Sequence, residues 1–149
     1  MYCKIKAIIE NKILCTKIII DTGNFLRDPI TKIPVIVIEK NELYGSIPDK
    51  ILNNLDKIIF GKDVDIVKYS TKIRIIPFTS LGRENGILLG YKVDNAEILM
   101  EENIINIKNV IIGIYDGVLC KSGKYHGLVG LDIIEKNDIN DLNYKKLLV

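Results

Sequence analysis

The sequence predicts a mainly β protein, a closed or sandwich-like fold with one or two short helices. Predicted strands dominate the chain and are spaced by short turns, as in β-barrels and β-sandwiches. Isoleucine and valine, which favour strands, are abundant, while aromatic residues make up only 7% of the chain. The 149 residues are most simply one domain, residues 1–149, long enough to bury a sizeable core.

The chain opens with a predicted β-hairpin. Residues 3–9 alternate between an apolar face and a lysine-bearing face, and Glu10-Asn11 predicts the turn into a second strand at 12–20. The three isoleucines that end this second strand predict burial on both faces. Another buried strand is predicted at 35–38, where four apolar residues follow one another.

The middle of the chain predicts one short helix followed by strands. Ile51, Leu52 and Leu55 have helical spacing, with Ser46 or Asp49 as the candidate cap. Five further strands are predicted from alternating or apolar segments at 63–69, 73–78, 87–93, 96–99 and 110–115, of which 73–78 and 87–93 are expected to pair.

The C-terminal part predicts a loop, a short strand and a helix. Residues 116–127 contain three glycines and predict the loop. The apolar segment that begins at Leu128 turns at Gly130 into a predicted helix that extends to Glu135. The remaining tail is polar, with a weakly amphipathic end.

Composition argues against several classes of partner. The net charge is +2, from 21 basic and 19 acidic residues, and no block of like charge points to nucleic acid or an anionic membrane. Three dispersed cysteines favour free, buried thiols in a reducing compartment. No apolar run approaches the ~20 residues that span a bilayer, so we expect the chain as given to be soluble.

The stretch from Asp21 to Asn24 is the first candidate site. A buried strand delivers the carboxylate of Asp21, and Thr22, Gly23 and Asn24 end that strand in a turn. A carboxylate at the mouth of a core strand is costly to desolvate, which is typical of sites that carry chemistry. The alternative is structural, with Asp21 merely closing an Asx-type turn.

Asp-Thr-Gly after an apolar strand resembles the active-site signature of aspartic proteases. Two segments resemble the one that packs behind the catalytic strand in the retroviral-type fold, 128–133 with its apolar–apolar–Gly–x–Asp–apolar pattern and 110–113. Between the signature and these segments lies a polar, glycine-containing hairpin tip in the position of a flap. The candidate flap and substrate-binding residues are Thr79, Ser80, Leu81, Gly82, Arg83, Glu84, Asn85 and Gly86. By itself this segment is equally an ordinary surface loop.

Four segments point to a more specific family within this resemblance. Residues 21–29, 76–82, 86–91 and 113–117 resemble the sporulation sigma-E factor-processing peptidases, and the similarity extends over essentially the whole chain. Asn24 stands where retroviral enzymes usually have alanine. The resemblance implies a retropepsin-like closed β-barrel, the half of an acid protease. It also implies a membrane-embedded N-terminal half that is absent from this chain, with this domain on the cytoplasmic, mother-cell side.

The same resemblance implies an aspartic endopeptidase that removes the pro-sequence of a sporulation sigma factor. One Asp-Thr-Gly supplies half of the site, so the second carboxylate is expected from Asp21 of another chain in a C2 homodimer. Asp21 would activate water, Thr22 would tie the two loops across the axis, and Gly23 would allow the tight turn. A secreted signalling protein is the expected partner of the membrane half, and no metal or other cofactor is expected.

Other sites and functions are weaker predictions. Cys120 and His126 could form a thiol dyad, although a cysteine near a loop histidine is more often structural. Zinc is not expected, because the cysteines and the single histidine lack short ligand spacing. Asp116 and Asp132 lie near glycine turns, which they would brace. The alternative function is a non-catalytic β-barrel that binds a partner and uses Asp21 only to stabilise a turn.

Overall fold

The computed structural model describes residues 1–79 and 85–137. The strands are β1 (Tyr2–Ile9), β2 (Lys12–Asp21), β3 (Val35–Glu39), β4 (Ile73–Thr79), β5 (Asn85–Leu99), β6 (Ile104–Tyr115) and β7 (Gly127–Gly130). The helices are α1 (Asp49–Leu52), α2 (Leu55–Ile59) and α3 (Leu131–Asn137), with short 3-10 turns at Lys40–Glu42 and Val67–Tyr69. None of the helices in these ranges is long and apolar enough to cross a membrane.

Six of these strands close into a barrel. The sheet runs in the order β1-β2-β7-β3-β6-β5, and the far end of β5 pairs with β1 to complete the ring. β4 lies outside the ring and pairs with the first half of β5. The predicted mainly β, closed-barrel fold with short helices is therefore confirmed.

The opening hairpin is confirmed in position. β1 and β2 pair antiparallel from Tyr2 opposite Ile19 to Ile9 opposite Lys12. Both turn residues have positive φ, +50° at Glu10 and +68° at Asn11. Two successive left-handed residues match the right-handed twist of the flanking strands, and this turn sets the register that carries Asp21 to the end of β2.

Buried side chains form two clusters on opposite faces of β3. Ile36 and Ile38 face the main cluster inside the barrel, whereas Val35 and Val37 belong to a second cluster that includes Ile76, Leu88 and Ile111. β3 is thus covered on both faces, as its uninterrupted apolar sequence predicts. The second cluster forms the apolar base of the candidate site.

Three predicted elements differ from the structure. The single helix predicted near residue 50 is two short ones, and its start is capped by neither Ser46 nor Asp49, since Pro48 is the N-cap residue and no side chain caps it. The strand predicted at 63–69 is wrong: Val64 and Ile66 pack against the core from a loop, without a partner strand. The segments 87–93 and 96–99 belong to one strand, β5, which pairs in turn with β4, β6 and β1.

Candidate active site

The carboxylate of Asp21 lies where β2 ends, and its own turn holds it in place. The backbone N–H of Gly23 donates to Asp21 Oδ1 at 3.1 Å, and the N–H of Asn24 donates to the Asp21 carbonyl at 3.1 Å. Asp21 is half-buried, while Thr22 and Gly23 are exposed. Gly23 does not adopt a positive φ. The turn itself therefore does not require glycine, contrary to the sequence prediction.

β7 lies directly beside the strand that carries Asp21. The two strands pair in parallel, with Ile19 opposite Leu128 and Asp21 opposite Gly130. A Cβ at Gly130 would collide with the Asn24 carbonyl oxygen and lie 2.6 Å from Asp132 Oδ1. The 128–133 segment is therefore the one next to the Asp21 strand, whereas 110–113 pairs with β3.

An ion pair ties the turn after Asp21 to the C-terminal helix. Arg27 Nη2 lies 2.6 Å from Asp132 Oδ2, and Arg27 Nη1 donates to the Lys32 carbonyl at 3.1 Å. Asp132 thus braces a loop 105 residues earlier in the chain, rather than its own glycine turn. Asp116, the other predicted brace, pairs with Lys40 Nζ at 3.1 Å.

Asp28 is a second carboxylate in this loop, and it is 4% exposed. It accepts hydrogen bonds from the Thr31 hydroxyl at 2.6 Å and the Ile30 N–H at 3.1 Å, and Arg74 Nε lies 3.8 Å away. The Thr31 hydroxyl lowers the pKa of Asp28 most; burial opposes this, and the Ile30 amide and Arg74 lower the pKa further. Asp28 is therefore an ionised structural group.

Asp21 opens into a cleft of about 860 Å³. Apolar and aromatic side chains dominate its walls, which suits an extended peptide with large side chains. The walls come from the Asp21 loop, from the strands beneath it and from the β4–β5 hairpin, through residues that include Phe25, Leu26, Val37, Pro77, Phe78, Thr79, Leu88, Tyr115, Leu119 and Leu128.

The predicted flap is a hairpin at its base. Thr79 ends β4, lines the cleft and pairs with Asn85 at the start of β5, and Gly86 pairs with Phe78. Ser80, Leu81, Gly82, Arg83 and Glu84 lie outside the described residues, as does the predicted tail from residue 138 onwards. The base of the hairpin and Asp21 therefore share one cleft.

The structure gives Cys120 and His126 different partners. Cys120 Sγ lies 3.2 Å from the Ser122 hydroxyl, whereas His126 Nδ1 lies 2.7 Å from Glu39 Oε1. The Ser122 hydroxyl and neighbouring backbone amides lower the pKa of Cys120 to about 7. All three cysteines are free, as predicted, but only Cys3 is buried, and burial raises its pKa to about 11.

Two features near the site, the cleft position of Leu119 and its bond to Glu39, were not predicted from the sequence. Leu119 lines the cleft from the loop between β6 and β7, and the buried carboxylate of Glu39 accepts a hydrogen bond from its N–H at 2.6 Å. The available signal was an acidic residue closing the apolar run of β3. No group of three or more His, Cys, Asp or Glu residues in the described ranges is arranged to hold a metal ion.

Comparison with known proteins decides the family. The family Peptidase U4, described as Sporulation factor SpoIIGA, matches residues 1–133. This chain belongs to that family. Curated proteins named sporulation sigma-E factor-processing peptidase are similar to this chain: one from Priestia megaterium is 29% identical over 91% of this chain, and one from Bacillus subtilis is 30% identical over 84%.

The chain spans less than half the length of these SpoIIGA relatives, 45% of the Priestia protein and 42% of the Bacillus protein. No solved structure matches the chain. The resemblance predicted from the sequence is confirmed at the level of the family.

Proposed function

We propose that this chain, residues 1–149, is the protease domain of an aspartic endopeptidase that removes the pro-sequence of a sporulation sigma factor. The observation that carries the proposal is the carboxylate of Asp21 at the end of β2, bonded to the Gly23 amide and lining an apolar cleft. The names of the relatives supply the substrate class, and the Asp-Thr-Gly sequence supplies the aspartic mechanism.

Catalysis requires two carboxylates that share one proton. The ionised carboxylate takes a proton from the attacking water, while the protonated one donates to the carbonyl oxygen of the scissile peptide. The resulting tetrahedral intermediate collapses when the amide nitrogen receives a proton and the C–N bond breaks. Asp21 supplies one carboxylate, and Asp21 of a second copy supplies the other.

Asp28 is not suited to be the second carboxylate. It is the other acidic residue among the described residues that line the cleft. Its oxygens already accept hydrogen bonds from Thr31 and Ile30, and its lowered pKa keeps it from donating a proton at neutral pH. This chain therefore needs a second copy to complete the site, which supports a C2 homodimer.

The surface around Asp21 favours self-association. Phe25 is 67% exposed and Ile30 is 88% exposed, although both are large apolar residues on the loop that follows the catalytic carboxylate. Exposed apolar groups next to a functional residue are typical of interaction surfaces. Thr22 is exposed beside them, where its hydroxyl can bond across a two-fold axis.

The flap and the membrane half complete the proposal. The resemblance assigns residues 79–86 the role of a flap, which excludes water and aligns the scissile bond of an extended peptide bound in the cleft. As the resemblance implies, the proposal includes a membrane-embedded half in the whole protein, through which a secreted signalling protein acts on this domain at the cytoplasmic, mother-cell face. Nucleic acid is not a partner, and the mechanism uses no cofactor.

The test is processing of the sigma-factor precursor by the whole protein in cells that also make the signalling protein. Asp21→Asn should lower cleavage by about 100- to 10,000-fold, because the acid–base pair is lost. Asp116→Asn is the matched control, since Asp116 is an exposed carboxylate outside the cleft. An active Asp21→Asn protein contradicts the aspartic mechanism. Precursor binding without cleavage by the unsubstituted protein supports the non-catalytic alternative.

Co-production tests the dimer separately. When wild type and Asp21→Asn are made in equal amounts, random pairing leaves about a quarter of the dimers with two intact chains. Activity should therefore fall to about a quarter of that of the same total amount of wild type, with mixed dimers inactive. A fall to only about half would mean that each chain acts alone.

A further inference from the structure

Glu39 is a buried acidic residue with no part in the proposed chemistry. It closes β3 at 6% exposure, and both of its carboxylate oxygens are bonded. Oε2 accepts from the Leu119 N–H at 2.6 Å, and Oε1 lies 2.7 Å from His126 Nδ1. A buried carboxylate is stable only when its oxygens have hydrogen-bond partners, so the local fold requires these two contacts.

The two partners of Glu39 belong to one loop. Residues 116–126, the β6–β7 loop, connect the two strands that flank β3 in the sheet. At its end, the His126 carbonyl accepts from the Glu39 N–H at 2.9 Å, and the His126 N–H donates to the Lys17 carbonyl at 2.8 Å. The β6–β7 loop is therefore fixed to β3 and to β2, four residues before Asp21.

The His126 ring lies between two glutamates. Glu39 lies at Nδ1, and Glu42 Oε1 lies 3.9 Å from Nε2. Glu42 in turn accepts a hydrogen bond from the Thr16 hydroxyl at 2.5 Å. This network fixes the orientation of the ring, and with it the end of the loop that carries Leu119.

Leu119 is the side chain that this network places in the cleft. It lines the cleft together with Asp21, Leu128 and Tyr115, and it packs against the second apolar cluster. Its neighbour Val118 is 66% exposed and does not line the cleft. The loop thus contributes an apolar wall whose position depends on the hydrogen bond between Glu39 and the Leu119 backbone.

We infer that Glu39 and His126 are positioning residues that fix Leu119 as the wall of an apolar subsite, and so limit the size of the substrate side chain accepted there. The inference rests on the proposed peptidase function. Because backbone hydrogen bonds determine the position of the loop, a substitution at the buried Glu39 changes the substrate preference although Glu39 itself does not contact the substrate. The hydrogen bond to the Asp21 carboxylate comes from the Gly23 N–H, which is not part of this network.

The test compares precursor variants that carry Ala, Leu or Phe on either side of the cleavage site, with the whole protein as enzyme. Leu119→Ala should raise kcat/KM for Phe relative to Leu by about 10-fold, because removing the wall makes room. Glu39→Gln should shift the same ratio in the same direction by about 3-fold, while kcat/KM for the Ala substrate stays near wild type. Val118→Ala is the control and should leave the ratio unchanged.

The double variant separates positioning from general stability. Glu39→Gln combined with Leu119→Ala should show the ratio of Leu119→Ala alone, because the position of the loop no longer matters once the side chain is gone. An equal loss for all substrates, or additive shifts in the ratio, overturns the inference. His126→Ala provides an independent break of the same network if Glu39→Gln fails to fold.

A binding measurement distinguishes this inference from the proposed function. The same peptides are titrated into Asp21→Asn protein, in which cleavage is blocked, with and without Leu119→Ala. A changed binding preference, together with no cleavage by the protein that retains Asp21, would leave the subsite standing and refute the peptidase. If cleavage is lost in Asp21→Asn while Leu119→Ala and Glu39→Gln keep the wild-type substrate preference, the peptidase function stands and the subsite is refuted.

Discussion

The two sides of the cleft are built differently. On one side, the loop that follows Asp21 is fixed by Asp28 within the loop, by the Arg27–Asp132 ion pair and by close contact with Gly130. On the other side, β4 is the last strand of the sheet and pairs only with β5 among the described residues.

The buried polar anchor lies on the side of the Asp21 loop, whereas one face of the hairpin is half-exposed. Ile75 in β4 and Ile87 in β5 are 45% and 47% exposed, whereas Asp28 is 4% exposed. The side that carries the carboxylate is thus preorganised by buried polar contacts, whereas β4 is paired along one edge only and packs on the second apolar cluster through Ile76. A site that must position a carboxylate and also admit a peptide benefits from a rigid side and a less constrained one.

The largest effect should come from Gly130→Ala. The added Cβ would meet the Asn24 carbonyl, which is backbone that the loop holds in place, so relief requires moving the Asp21 turn. We expect a loss of about 3 kcal/mol in the free energy of unfolding, measured by urea denaturation, together with a marked loss of cleavage. A loss below about 1 kcal/mol would mean that the Asp21 loop is not rigid.

Asp28→Asn should have an intermediate effect that depends on pH. Loss of its charge-assisted hydrogen bonds should lower the free energy of unfolding by about 2 kcal/mol at pH 7. Because the pKa of Asp28 is lower in the folded protein than its ordinary value of 3.8, the carboxylate stabilises the fold above about pH 4. That contribution is lost as pH falls through the folded-state pKa.

Urea denaturation of both proteins across pH 3–7 measures this difference. The wild type and Asp28→Asn should converge as the solution becomes more acidic. A constant gap between them would show that the variant loses packing rather than a charged hydrogen-bond network.

The smallest effect should come from Gly86→Ala on the hairpin side. Here the added Cβ would meet the ring of Phe78, a side chain that can rotate. We expect a cost below about 1 kcal/mol in urea denaturation. Because Gly86→Ala and Gly130→Ala add the same methyl group, equal costs would contradict the difference between the two sides of the cleft.

Local patterns predicted much of the fold. The alternation in residues 3–9 and the turn at Glu10-Asn11 defined the first hairpin, since strand period and turn chemistry are both local properties. The same two-residue alternation led to a wrong strand prediction at 63–69. Val64 and Ile66 are buried there from a loop, which produces the same sequence pattern as a half-buried strand. Pairing, which distinguishes the two cases, depends on distant residues.

Contacts between distant residues account for what the sequence did not reveal at the site. Asp21 was predicted from its own neighbours, and the structure places it at the cleft. The pairing of Arg27 with Asp132 spans 105 residues, and that of Glu39 with Leu119 spans 80. No local pattern carries such contacts, which form because β2 pairs with β7 and β3 pairs with β6.

The length of β5 links the hairpin at the cleft to the seam of the barrel. Its first residues form the hairpin over the cleft with β4, and its last residues, Ala96 to Leu99, close the barrel against β1. Fifteen residues of strand make a continuous backbone of about 50 Å with no intervening loop. The hairpin and the seam of the barrel are thus two ends of one strand, which β6 pairs with from Leu89 to Leu99, so no flexible loop separates a movement at the cleft from the seam with β1.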